Sequence, residues 1–434
     1  MKLLRVTVDG FRNVDNTSLD LREIISLVSL NGYGKSNVLQ AIGFGFDFIH
    51  QNASTRSNMM KWAGGIPLNK ATAQKDFMME IEVSDKWEDR LFTGIYQFSF
   101  RWPKNDGSGE RILSENFKIK WEGKNQRYFV ILDRSDETKY RKSERGRCSS
   151  SLHLQNNELS LDKLELMEGF FARGIIESVR KMKIYIDRHL DASGQYVSGP
   201  IIAKNTDVFD FIEGEGNGLP KMIYFLQEKY PDKYDLLMDA YLQLFPQFKI
   251  VIPKKAEIDL KEKNLKISDN LPFTLDNAVY QMYVQDTHLN QPVLFQALSD
   301  GAKRIFLLLT HVILADINQL SLIAIEEPEN SIHPGLLQAY LQVLNQIRGD
   351  IDIVMTSHSP YIIRYQQPHD IYIGIPNAEG VAHFYRIRQS AEKMLCRDAE
   401  AEEISTGEYI FSLMSGSEDE MEILRGYLED YAHE

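Results

Sequence analysis

A short apolar run, Ile24 to Leu30, leads into Ser29-Leu30-Asn31-Gly32-Tyr33-Gly34-Lys35-Ser36, and helical periodicity follows from Asn37 to His50. A strand feeding a glycine-bearing loop and then a helix lets successive backbone N–H groups and a helix N-terminus converge on an anion. Gly32 and Gly34 allow the close backbone approach that a Cβ hinders. Lys35 is placed to neutralise the β- and γ-phosphates of a nucleotide, and Ser36 to ligate Mg²⁺, with Asn31 and Asn37 beside them. Ser29 stands where the strict pattern has its first glycine. The alternative is an ordinary glycine turn before a helix.

Three later segments bear on that choice. Glu326 and Glu327 follow the apolar run Leu322 to Ile325, at the C-terminal end of an expected buried strand, where open α/β sheets bind ligands. One carboxylate there can hold Mg²⁺ through water while the next accepts a proton from an attacking water. Without Lys35 upstream, the pair reads equally as a solvated helix start before Pro328. Ser299-Asp300-Gly301 precedes a helix striped by Ile305, Leu308, Leu309 and Val312. It is either a capping serine with a flexible glycine or a second anion site at a helix N-terminus. His358 ends the run Ile351 to Met355 and precedes Ser359-Pro360; alone it reads as structural, and only the set raises it.

Bulk properties narrow the class. The 434 residues suffice for one large domain with an insertion or for two domains. With 43 % apolar and 26 % charged residues the composition is that of a globular protein. No apolar run of about 18 residues suggests a membrane span. Met1 to Val6 alternates like a strand rather than a signal peptide. Cys148 and Cys396 lack metal-site spacing, which suits a reducing cytoplasm. The net charge of −13 opposes generic polyanion binding, so nucleic acid would need a local basic patch.

Residues 1–135 read as the strand–loop–helix followed by an antiparallel sheet: Phe77 to Val83, Leu91 to Trp102, Ile112 to Trp121 and Tyr128 to Leu132, with a turn at Pro103 to Gly109. Residues 136–150 are polar and basic and read as an exposed loop. Residues 136–289 read as a mainly helical insertion, with a strand at Lys183 to Ile186, a loop at Gly214 to Pro220, and strands at Phe248 to Pro253, Ala256 to Leu260 and Tyr280 to Gln285. Residues 290–434 begin with loop–helix–strand–helix–strand, the pattern of a parallel sheet covered by helices.

Together the phosphate loop, Leu298 to Arg304, Glu326-Glu327-Pro328-Glu329-Asn330 with His333-Pro334, and Thr356-Ser357-His358-Ser359-Pro360 resemble the RecF/SMC-like branch of ABC ATPases. They are similar above all to the compact AAA-type ATPases of overcoming-lysogeny nucleases and bacterial anti-phage systems. Val6 to Asn13, with Phe11 and Arg12, resembles their first strand and turn. The resemblance implies an α/β fold: an ABC-type P-loop ATPase head with an antiparallel β-lobe and an inserted helical region. It implies ATP and Mg²⁺ as ligands, with Ser36 and Glu326 on the metal, Glu327 as catalytic base and His358 sensing the γ-phosphate. It also implies a head-to-tail homodimer or higher homo-oligomer, in which Ser299 and Gly301 of one copy cap nucleotide held by Lys35 and Ser36 of the other. Asn330 and His333 would lie near that contact, and Gln74 is the candidate for the glutamine linking nucleotide to the inserted lobe.

Two roles compete. In the first, the ATPase is a sensor or regulator of a co-encoded effector nuclease of Toprim or HNH type, as in PARIS- or Septu-like defence. In the second it is a RecF-like DNA-binding ATPase, with Lys139, Arg141, Lys142, Arg145 and Arg147 as the basic surface. A transporter engine is disfavoured by the long stretch between Lys35 and Ser299 and by the lack of a membrane segment.

Overall fold

The computed structural model describes residues 1–61, 69–104, 107–123, 127–187, 196, 201–203, 218–257, 273–275, 278–375 and 379–429. They form two compact units: Met1–Ile186 with Ser321–Glu327 and Asp352–Glu434, and Asp187–Leu320 with Pro328–Ile351.

The first unit holds two sheets. One is antiparallel and eight-stranded, in the order Thr17–Asp20, Lys2–Asp9, Phe77–Trp87, Arg90–Arg101, Arg111–Trp121, Phe129–Arg134, Thr138–Arg141, Cys148–Ser151. Its long strands alternate buried and partly exposed residues, as expected for a sheet with one face on the core. The four strands expected between residues 75 and 135 are all present. The loop expected at 136–150 is instead a hairpin of two short strands. Tyr140 is buried while Lys139 is exposed and Arg141 half-buried, so the flanking charges mask the alternation.

The other sheet is mostly parallel, in the order Ile184–Asp187, Leu322–Glu326, Asp352–Ser357, Ile24–Val28, Ile371–Gly374, Phe384–Arg386. Its central strands are continuous apolar runs because both faces are covered. Register fixes what meets at its edge. Glu326 pairs with Thr356 and Val28 with Ser357, so three strands end side by side.

The helix Lys35–His50 joins the two sheets into one core, with Val38, Leu39, Ile42, Phe46 and Phe48 buried among residues of both. Phe48 stacks on Phe98 and Phe100 at 5.1 and 4.9 Å between ring centroids. Each such ring contributes roughly 1.5–3 kcal/mol by leaving water. Three helices, Glu392–Ala401, Thr406–Ser415 and Glu418–Arg425, follow the last strand, and their apolar residues pack with Val28, Ile371 and Ile373.

In the second unit, helices Pro231–Leu244, Asp300–Ile317 and Pro334–Ile347 pack on one another. The helix Leu219–Lys229 packs on a three-stranded sheet of Phe248–Glu257, Ala278–Asp286 and Val293–Leu294. The two strands expected between 248 and 260 are one strand to Glu257; Leu260 lies outside the described residues. Pro253 is tolerated there because the strand is at the sheet's edge. Most of the loop expected at 214–220 and part of the turn at 103–109 also fall outside the described residues. Among the described residues no helix is long and apolar enough to cross a membrane.

Candidate nucleotide site

The phosphate loop begins where the strand Ile24–Val28 ends. Ser29 is fully buried, and its φ is not positive, so the glycine of the strict pattern is not required there. Gly32 (φ 76°) and Gly34 (φ 122°) do occupy the left-handed region. A Cβ on Gly34 would come within 2.7 Å of the Ala382 methyl and 2.8 Å of Asn13 Oδ1. Asn31 and Gly32 are exposed at the tip, and space is open around Gly32. Lys35 opens the helix and is almost wholly buried. Its ammonium donates to the carbonyls of Ser29 at 2.9 Å and Leu30 at 3.3 Å, so it lies folded along the loop.

Ser36 Oγ donates to Glu326 Oε2 at 3.0 Å. The next residue, Glu327, is held in the left-handed region (φ 45°), and its N–H donates to the Thr356 carbonyl at 3.0 Å. That twist carries its carboxylate to His358, with Oε1 and Nδ1 3.3 Å apart. Backbone strain of this kind in a non-glycine residue clusters at functional sites. The hydroxyl of Ser36 and the carboxylate of Glu326 are hard oxygen donors held together at the sheet edge. This suits Mg²⁺, which takes one or two protein oxygens and fills its octahedron with water and phosphate. The residues present therefore fit the ion.

Ser299 and Gly301 lie in the second unit. Ser299 is exposed and caps the helix Asp300–Ile317, accepting from the Ala302 N–H at 3.4 Å. Gly301 has a local reason of its own: a methyl there would overlap the Ser331 carbonyl. His333 also caps a helix, Nδ1 accepting from Gly335 N–H at 3.1 Å. Gln74 is exposed, and its side-chain oxygen accepts from Lys104 Nζ at 3.2 Å. Of the five basic residues proposed for DNA, Lys139 pairs with Glu137 at 3.1 Å. Arg141 donates to the Val130 carbonyl at 2.7 Å and lies over the Phe129 ring. Lys142, Arg145 and Arg147 are exposed.

A family model described as "AAA domain, putative AbiEii toxin, Type IV TA system" matches residues 30–364, from within the phosphate loop to the helix after His358. The chain belongs to this AAA-domain family. No curated protein matches it. Among solved structures it is similar to an SMC head bound to the C-winged helix domain of ScpA, at 10 % identity over 91 % of this chain and all of that one, with a TM-score of 0.47. It is also similar to the SMC head domain of Thermotoga maritima, at 10 % identity over 89 % of this chain and all of that one (TM-score 0.42). A third is the Smc head with an extended coiled coil bound to the C-terminal domain of ScpA from Pyrococcus furiosus, at 9 % identity over 92 % and 99 % (TM-score 0.42).

This AAA-domain chain also supports its phosphate loop with residues outside the motif itself. Arg12 donates to Asn37 Oδ1 at 3.0 Å, and Asn37 Nδ2 donates to Asn13 Oδ1 at 2.7 Å. Asn13 Nδ2 in turn donates to the Tyr33 carbonyl at 3.0 Å. The turn carrying Arg12 (φ 53°) thus braces the loop from outside. The signal was a polar Arg-Asn pair ending the first strand and turn, whose partners no local pattern names.

Proposed function

We propose that this chain is a Mg²⁺-dependent ATPase that regulates a co-encoded effector nuclease in anti-phage defence. The observation that carries the enzymatic part is Ser36 Oγ at 3.0 Å from Glu326 Oε2, beside the phosphate loop and its Lys35. Backbone N–H groups of the loop and the helix N-terminus receive the phosphates, and Lys35 neutralises their charge. Ser36 and Glu326 would hold Mg²⁺, which when bound draws charge from the phosphate oxygens. Glu327 orients a water and takes its proton as the water attacks the γ-phosphorus; the ADP oxygen leaves with the bond's electron pair. His358, with Nδ1 3.3 Å from Glu327 Oε1, senses the γ-phosphate from beside that carboxylate.

In this reading Ser299 and Gly301 of a second copy close over the nucleotide, so hydrolysis is coupled to assembly. The family description names a putative toxin of a type IV toxin–antitoxin system, which supports a two-component arrangement, and in this reading the nuclease step belongs to the partner. The test is phosphate release by purified protein, with and without the product of the adjacent gene. Wild type should turn over ATP, and Glu327→Gln should slow it by at least about 100-fold, as for loss of a general base. Equal rates for the two would remove Glu327 from the mechanism, and consistent failure of the neighbour to co-purify would remove the partner.

A further inference from the structure

Tyr33 stands between the two left-handed glycines of the phosphate loop, and it is the side chain that ties this stretch down. It is only 7 % exposed. Its hydroxyl donates to the His383 carbonyl at 3.4 Å and accepts from the His383 N–H at 3.3 Å. Its ring meets Phe384 edge-on, with centroids 5.7 Å apart, and fills the space over Gly374, where a methyl would overlap it. Its carbonyl accepts from Asn13. Asn13 is bound in turn to the same C-terminal segment, because its carbonyl accepts from the Ala382 N–H at 2.7 Å. The Ala382 methyl also closes the space beside Gly34.

We infer that Tyr33 is a positioning residue for nucleotide binding: it anchors the phosphate loop to the strand Phe384–Arg386 and so holds the loop in its anion-receiving form before any ligand arrives. The inference rests on the ATPase reading. A stretch with glycines at both flanks has wide backbone freedom, and a loop left free must be ordered at the moment of binding, at the expense of affinity. Burying a phenol between two strands orders it during folding instead. Nucleotide affinity is thereby tied to a segment some 350 residues downstream of the loop. The simpler account is that Tyr33 only fills a gap in the core. That account predicts a loss of stability with no separate loss of affinity.

The two are separated by titrating a Mg²⁺-bound, non-hydrolysable ATP analogue into wild type, Tyr33→Phe and Tyr33→Ser, at a temperature where melting curves show each folded. Tyr33→Phe keeps the ring and should bind within about threefold of wild type. Tyr33→Ser should weaken binding by about tenfold or more, a factor well resolved by such titrations. Turnover at saturating nucleotide should fall less than affinity does. If Tyr33→Ser does not fold, Phe384→Ala, which withdraws the contact from outside the loop, carries the same expectation. A folded Tyr33→Ser or Phe384→Ala that binds like wild type overturns the inference. Failure of wild type itself to bind would overturn the ATPase reading instead.

Discussion

Ser36 Oγ and Glu326 Oε2 are hydrogen-bonded at 3.0 Å although 290 residues separate them in the chain. Neither side chain creates that meeting. It follows from the parallel pairing of Leu322–Glu326 with Asp352–Ser357, and of that strand with Ile24–Val28, whose ends coincide. If the pair holds Mg²⁺, Ser36→Ala or Glu326→Gln should weaken metal-dependent nucleotide binding by at least about tenfold, the scale on which metal sites respond to lost partners. Titrations with Mg²⁺ and with a chelator check this. A variant that loses the same affinity in both would show that the pair serves only the fold.

Glu327 gives a prediction in which activity and stability part. Its left-handed backbone costs a non-glycine residue about 1–2 kcal/mol, while glycine's extra chain entropy costs roughly 0.5–1 kcal/mol. Its contact with His358 is partly exposed and adds little to stability. Glu327→Gly should therefore abolish turnover while leaving the unfolding temperature unchanged or raised. A clear drop in that temperature would show that the carboxylate was placed for the fold.

The composite site proposed above predicts complementation. Random pairing of Lys35→Ala subunits with Ser299→Arg subunits gives dimers of which half carry one intact site, so the mixture should recover roughly a quarter of wild-type turnover. Each variant alone should be inactive. A mixture no more active than its parents would argue that nucleotide is capped within one chain.

Acid sensitivity should trace to His50 and His383. Burial, the largest influence on each, holds both below the ordinary histidine value of 6.5. A base with a depressed folded pKa binds its proton more readily in the unfolded chain. Stability is then fully present above the unfolded value of 6.5 and is lost as pH falls from there through the depressed folded value. Melting temperature should drop between pH 7 and 5, and the double variant His50→Gln with His383→Gln should flatten that limb. An unchanged slope would assign the effect to carboxylates.

Much of this site could be read from local chemistry, because a buried strand, a glycine loop and a helix start are adjacent in the chain. The same holds for Glu326-Glu327 and for His358, each placed at the end of an apolar run. What local pattern does not contain is register, which brings Ser36 to Glu326, and the twist that turns Glu327 toward His358. The hairpin of Thr138–Arg141 and Cys148–Ser151 was hidden for another reason: its one deeply buried side chain, Tyr140, sits among charges. Tyr33 looked like any aromatic residue, since its partners His383 and Phe384 lie at the other end of the sequence. Gly301 suited a phosphate contact on paper, and the structure adds a packing demand from Ser331 that holds whether or not nucleotide is nearby.

Equilibrium titration of the purified chain with a Mg²⁺-bound, non-hydrolysable ATP analogue, beside Lys35→Ala, tests the central claim most directly. Wild type should bind saturably, and removing the ammonium that lies along the loop should weaken binding by at least about tenfold, or roughly 1.4 kcal/mol. Saturable binding of equal strength by both proteins, or none by wild type at millimolar analogue, would contradict the account.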